Sequence, residues 1–186
     1  MQKFIGIGSL LAAVCLGAVA AEPLPIDGTF LKVRDAKSQT WSVDTDKKLE
    51  PIGHTELFKI KDPASTGNAI RLRSTKLAPT HFVTNDYYPV GEYDACRLQA
   101  KVFGYGTVGI GVYVYDQDWN YLGSVTKSAK FADDSGVVFD VMLSLRKYPK
   151  AAFIRVLLIA DRESQGNFEA VAATLDQVEA AAGQAK

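Results

Sequence analysis

Between Gly104 and Gly123 the chain reads Gly-Tyr-Gly-Thr-Val-Gly-Ile-Gly-Val-Tyr-Val-Tyr-Asp-Gln-Asp-Trp-Asn-Tyr-Leu-Gly, and its rings are the side chains best suited to chemistry. Aromatic faces stack on flat apolar surfaces, and planar Arg, Gln, Asp and Asn groups bond bidentately to neighbouring hydroxyls. A ligand such as a sugar offers both kinds of surface. From Val108 the stretch alternates, with Val108, Ile110, Val112 and Val114 on one face and Gly109, Gly111, Tyr113 and Tyr115 on the other. That period of two predicts a strand with one buried face. Its second face is bare at the glycines and aromatic at the tyrosines, as suits a surface that something lies against. Asp116 to Asn120 supply turn formers with Trp119 at the tip, and Tyr121 starts the return. The candidate ligand-binding set is Tyr113 and Tyr115 with Arg97, Gln99 and Lys101 of the preceding strand, joined by Asp140 and Arg155 from later ones. Trp119 and Tyr121 at the hairpin tip, and the pair Tyr87-Tyr88, are further candidates. The competing account makes them ordinary side chains of a half-exposed sheet, with the tyrosines as cross-strand partners.

Catalysis has little to work with. His54 and His81 lie in separate segments without H-x-x-x-H spacing, which leaves zinc no ligand set, and no G-x-S-x-G occurs. Asp133-Asp134 sit in a polar loop with nothing nearby to raise a pKa, so a solvated loop is expected rather than a hydrolytic pair. Gly104 to Gly109 match G-x-G-x-x-G in form, but a strand follows where a dinucleotide site needs a helix. Asp116-Gln117-Asp118-Trp119-Asn120 imitates the start of an EF-hand loop. It has Tyr121 where glycine is required and Lys127 where an acid is required.

These residues must be held by a core, and the composition permits one. Of the 186 residues, 47% are hydrophobic, and 21 basic residues balance 21 acidic ones. A chain with no basic excess is poorly matched to nucleic acid or an anionic membrane surface. Lys3, the apolar run Phe4 to Val19 and the small residues Ala18-Val19-Ala20 predict a cleaved signal peptide over residues 1–20, too short for a membrane span. A secreted or periplasmic protein is expected. Valine before Cys15 argues against the lipoprotein alternative. After cleavage only Cys96 remains, which excludes an intramolecular disulfide.

The expected organisation is one β-sandwich domain over residues 21–179, followed by a flexible tail over 180–186. Strands are predicted at Thr29–Val33, Trp41–Val43, Leu57–Ile60, Ala69–Ser74, His81–Thr84 and Tyr93–Phe103. Beyond the central hairpin they are predicted at Val137–Leu145, Phe153–Ala160 and Ala173–Val178. Trp41 reads as a core anchor. Cys96, Leu98, Ala100 and Val102 face inward, so the cysteine is a small buried apolar residue. Glu169 to Ala182 is the one stretch whose alanine content permits a helix, although a closing strand serves better. Short alternating strands divided by Gly, Pro, Asn and Asp mean an all-β fold.

The order of these pieces resembles the carbohydrate-binding modules of the galactose-binding-like jelly roll, the cellulase-type modules of families four, nine, sixteen and twenty-two. The likeness covers nearly the whole chain after the leader. It rests on Asp27-Gly28-Thr29-Phe30, Trp41, Gly67-Asn68-Ala69-Ile70-Arg71-Leu72 and Pro89-Val90-Gly91-Glu92-Tyr93. Tyr113-Val114-Tyr115-Asp116 with Tyr121-Leu122-Gly123, and Thr174-Leu175-Asp176-Gln177-Val178, complete it. The resemblance implies a jelly-roll sandwich that binds a polysaccharide or oligosaccharide on one sheet face or its rim loops. It also implies a structural calcium ion near the chain ends, with Asp27 and Asp176 as ligands. The family has an acid directly after the aromatic of its first motif, where this chain has Leu31.

Two functions follow as expectations. The first is an exported, non-catalytic carbohydrate-binding protein. The second is a structural or assembly protein of the cell envelope that uses the same sandwich to bind a protein partner or a second copy of itself. Phe153 to Ala160 is apolar on both faces, and that second face needs a cover.

Overall fold

The computed structural model describes residues 21–33, 40–44, 53–60, 67–132 and 136–177. The expected signal peptide, Asp133-Asp134 and the tail over 180–186 lie outside them. The regular elements among the described residues are all strands: β1 (Glu22–Pro23), β2 (Trp41–Asp44), β3 (Gly53–Phe58), β4 (Ala69–Ser74), β5 (Thr80–Thr84) and β6 (Tyr88–Pro89). Then come β7 (Ala95–Tyr115), β8 (Tyr121–Phe131), β9 (Gly136–Ser144), β10 (Phe153–Ala160) and β11 (Gln165–Asp176). Every pairing is antiparallel.

β7 is 21 residues long and belongs to both layers. Its first half, Ala95 to Tyr105, pairs with β9 on one side and β11 on the other. Its second half pairs with β8 and β10. Sheet I therefore runs β3-β4-β11-β7-β9, and sheet II runs β2-β5-β10-β7-β8. The sequence predicts two strands here, ending at Phe103 and resuming at Val108. The ladder instead continues through the glycines between them, because these let the strand turn from one layer to the other.

The turn is pinned by close approach and a polar knot. A Cβ on Gly104 would lie 1.9 Å from the Gln165 carbonyl oxygen, and one on Gly106, at φ 75°, would lie 2.3 Å from Ser164 Oγ. Ser164 Oγ accepts from Thr107 N at 2.8 Å, and Ser164 N donates to Ser74 Oγ at 3.0 Å. Ser74 Oγ also bonds the Asp161 carbonyl, so β4, β7 and the β10–β11 turn meet at one point.

Between the layers lies one apolar core. Cys96, Leu98, Ala100 and Val102 from the first half of β7 pack with Val108, Ile110, Val112 and Val114 from the second. Burial pushes the Cys96 thiol up to about 12, so it is inert at neutral pH. Trp41 is fully buried between Phe30 and Phe82, at ring centroid distances of 5.6 and 5.5 Å. Its indole N–H donates to the Asp27 carbonyl at 3.0 Å.

Two expectations change at the ends of elements. Thr29–Val33 is a turn and not a strand. The Asp27 carboxylate accepts from Leu31 N and Lys32 N at 3.0 and 2.9 Å, and this local capping wins over extension. The last strand begins at Gln165 and carries a bulge between Glu169 and Ala172, so the alanine-rich stretch is strand as far as Asp176. β10 does have a covered second face, and Val83, Tyr113 and Tyr115 of the same chain pack on it.

Gly106→Val forces a branched side chain into a left-handed backbone position and against Ser164. Urea unfolding is expected to show a loss of roughly 2–4 kcal/mol, with the loss at the solvent-facing Ser128 site (Ser128→Val) close to nil.

Candidate functional site: an aromatic cluster on sheet II

On the outer face of sheet II the register sets the neighbours. Tyr115 lies opposite Tyr121 of β8 and Phe153 of β10, and Tyr113 lies opposite Ser124 and Arg155. One step further along, Gly111 is flanked by Thr126 and Leu157, and Gly109 by Ser128 and Ile159. His81 follows Ile159, and Asp44 follows His81, across β5 and β2.

The two glycines do not leave a bare floor, as the alternation predicts. They let β8 close in, because added Cβ atoms would meet the Lys127 and Val125 carbonyl oxygens at 2.7 and 2.5 Å. Tyr113 then leans across the face, and its hydroxyl sits 2.7 Å from His81 Nδ1 on β5. To reach β5 it must cross β10, where Leu157 is 1% exposed. Tyr113 and Tyr115 are each 8% exposed, so both support the surface more than they form it. Burial, then a hydrogen bond to Asp44, raises the Tyr113 hydroxyl well above the ordinary range. Burial also lowers the His81 pKa, partly opposed by Asp44 and Asp161.

The exposed rings gather around Tyr115 at the hairpin end. Tyr87, from the turn before β6, meets Tyr115 at 4.9 Å and Trp119 at 5.0 Å between ring centroids. Tyr121 meets Tyr113 at 5.4 Å and Tyr115 at 5.7 Å. Trp119 stacks on Phe153 at 4.2 Å with planes 10° apart, and it remains 55% exposed. Arg155 adds a polar group. Its Nε donates to the Thr84 carbonyl at 2.6 Å, its guanidinium lies 5.1 Å from the Tyr87 ring centre, and it bonds the Tyr115 hydroxyl.

Trp119 holds φ 66°, a left-handed conformation that is uncommon for a bulky side chain. Asp116 enforces it. One carboxylate oxygen accepts from Asp118 N and Asn120 N at 2.9 and 2.8 Å, the other from Asn120 Nδ2 at 3.1 Å. These bonds lower the Asp116 pKa. A Gly or Asn would fit the backbone better, so the indole is presented here against local preference.

The polar residues assigned to the same surface lie elsewhere. Arg97, Gln99 and Lys101 are on the first half of β7, and Asp140 is on β9, so all four are on the outer face of sheet I. They pair among themselves and with neighbours. Arg97 grips Asp140 through two bonds of 2.7 Å, Gln99 adds one of 3.1 Å, and Lys101 is 2.7 Å from the buried Glu169 carboxylate. The Arg97 bonds hold the Asp140 carboxyl at about 2. Tyr113, Tyr115, Trp119, Tyr121 and Arg155 are thus brought together, and the Arg97, Gln99, Lys101 and Asp140 set is separated from them by the core. Phe153, the stacking partner of Trp119, reads in the sequence only as the start of an apolar strand. Its signal is positional, since it is the residue facing Tyr115 once the β7–β10 register is known.

The implied calcium pair does not fit one ion. Gly28 O bonds Val171 N whereas Glu22 pairs with Leu175, so Asp27 and Asp176 lie about five residues, or roughly 16 Å, apart along β11. The Asp27 carboxylate is already occupied by the turn N–H groups and by Thr40 Oγ1 at 3.1 Å. Among the described residues no group of three or more His, Cys, Asp or Glu side chains is placed to hold a metal.

Tyr113→Phe removes the His81 bond and is expected to cost about 1 kcal/mol by urea unfolding, whereas Tyr113→Ala costs roughly 3 kcal/mol. His81 has a folded pKa below its unfolded value of about 6.5, so its contribution is complete above that pH. As pH falls from there through the folded value, the wild-type Tm should fall, and His81→Gln should flatten the fall. Asp140 acts in a separate window, below the ordinary carboxylate value and down towards about 2.

No family model matches the chain, and no curated protein sequence matches it. Solved structures do resemble it. The enzymatically active domain of tailspike protein 4 of bacteriophage CBA120 matches with a TM-score of 0.59 at 11% identity, over 80% of this chain and 20% of that one. The chain therefore spans about a fifth of that protein. The family 11 carbohydrate-binding module of a cellulosomal cellulase of Clostridium thermocellum matches with a TM-score of 0.53 at 11% identity, over 88% of this chain and 99% of that one. A family 29 carbohydrate-binding module complexed with mannohexaose matches with a TM-score of 0.51 at 12% identity, over 86% of this chain and 95% of that one. Two layers, one shared core and near-complete coverage of both modules agree: this chain has the jelly-roll β-sandwich fold of those carbohydrate-binding modules.

Proposed function

We propose that the protein is an exported, non-catalytic carbohydrate-binding protein whose ligand site is the aromatic cluster of Trp119, Tyr121, Tyr87, Tyr115 and Arg155. The observation that carries this reading is Trp119. It is more than half exposed, held in a left-handed conformation by Asp116, and stacked on Phe153. An exposed indole fixed in place against backbone preference supports a binding role, because stacking on sugar C–H faces needs a rigid ring already free of rotamer entropy. Arg155 and the tyrosine hydroxyls supply the hydrogen bonds that flank such a stack. The likeness to modules from a cellulase and from a mannohexaose complex supports a glycan as the ligand class. Export is supported by Lys3, the apolar run and the small residues before Ala21.

The envelope-protein reading started from the apolar outer face of β10. That face is covered within the chain by Val83, Tyr113 and Tyr115, so no partner is needed to account for it.

The test is retention of the protein, residues 21–186, on insoluble polysaccharides, followed by calorimetry with soluble glycans. Trp119→Gly should abolish retention while the Tm stays near wild type, since relief of the backbone conformation offsets the lost stack on Phe153. Arg97→Ala and Gln99→Ala, on the other sheet, should bind as wild type does. Retention by Trp119→Gly together with loss in Arg97→Ala would move the site to sheet I. Failure of the wild type on every polysaccharide and on every soluble glycan, short ones included, would end the carbohydrate reading.

A further inference from the structure

The extent of the exposed aromatic surface bears on how much of a glycan the site can read. Three rings around sheet II are exposed: Tyr87 at 37%, Trp119 at 55% and Tyr121 at 57%. Tyr87 and Tyr121 both contact Tyr115, at 4.9 and 5.7 Å, which keeps their centres within about 11 Å of each other, and Trp119, 5.0 Å from Tyr87, frames one sugar position together with it. Rings in contact sit about 4.5–7 Å apart, so this span accommodates about two six-membered rings.

The rings also lack a common plane. Tyr87 stands at 86° to Trp119 and 69° to Tyr115, and Tyr121 stands at 62° to Tyr115. They form a corner and not a platform. A flat, ribbon-like polysaccharide backbone lying along the sheet would need parallel faces repeated at intervals.

Beyond the corner, the described part of the outer face has no further exposed ring. Leu157 and Val83 are each 1% exposed, and Tyr113 lies across them. Gly109 and Gly111 are closed over by the β8 carbonyls. Thr126 and Ser128 are exposed but offer hydroxyls alone. Tyr105, 41% exposed, lies on the sheet I half of β7 opposite Gln165.

We infer that the site reads a mono- or disaccharide epitope, the end or a branch of a glycan, and not a run of polysaccharide backbone. The inference rests on the carbohydrate reading above and narrows its ligand class. One sugar ring lies in the corner between Trp119 and Tyr87, with Arg155 within hydrogen-bonding reach, and a second lies towards Tyr121.

Calorimetric titration of residues 21–186 with mono-, di- and hexasaccharides of glucose, mannose, xylose and galactose tests it. The expected result is binding of one sugar series with a gain of less than about tenfold in affinity from disaccharide to hexasaccharide. Tyr121→Ala should then weaken the disaccharide and leave the monosaccharide affinity unchanged. A gain well beyond tenfold between disaccharide and hexasaccharide overturns the inference and leaves the carbohydrate reading standing. No binding by any member, with the fold confirmed by circular dichroism, overturns the carbohydrate reading and this inference with it.

Discussion

Everything in this fold depends on one strand serving two sheets. β7 contributes four core residues to each layer, and its neighbours on both sides change at the turn near Gly104 and Gly106. The turn is possible only because no side chain occupies those positions, and it is fixed because Ser164, Ser74 and Thr107 exchange buried hydrogen bonds across it. A buried polar knot is costly when half made and specifying when complete. Here it sets the register of β4, β7 and β11 at one point, and every facing pair on either outer surface follows from that register.

The same crossing gives the two outer faces different chemistry. On sheet I, Arg71, Arg73, Arg97 and Lys101 face Asn167, Gln165, Asp140 and Glu169 and are bound to them. Their hydrogen-bonding capacity goes largely into the protein itself. On sheet II the outer face sets aromatic and apolar residues beside Arg155, Thr126 and Ser128, and the surplus ring surface collects where the β7–β8 hairpin turns. A Trp in a left-handed backbone position needs local compensation, and Asp116 provides it through three hydrogen bonds within the turn. Strained aromatic presentation next to a fixed guanidinium is a costly arrangement for a plain surface and a reasonable one for a ligand site.

Much of this was legible in the sequence, in the parts where period and turn chemistry dominate. Strict alternation placed Val108, Ile110, Val112 and Val114 inside, and Ala69–Ser74 and Phe153–Ala160 were bounded correctly because clear turn residues flank them. Two things were not legible. Alternation assigns a residue to a face of its own strand but does not say which sheet that strand is in. Arg97 and Tyr113 therefore looked like neighbours although a glycine-rich bend turns them to opposite sides of the core. Alternation makes glycines on a face look like open ground, whereas their effect here is to admit the β8 backbone. The motif around Asp27 resembles a metal-ligand motif, but its carboxylate accepts from Leu31 N, Lys32 N and Thr40 Oγ1 and so belongs to the turn before Trp41.

The two tryptophans provide the most direct test of where a ligand sits. Trp41 is fully buried and Trp119 is 55% exposed, so iodide quenching of the native protein reports on Trp119 alone. Quenching should be measured with and without a glycan that retains the protein. The account predicts that the glycan shields the quenchable indole in proportion to occupancy. Undiminished quenching at saturating glycan would place the ligand away from Trp119 and contradict the assignment of the site.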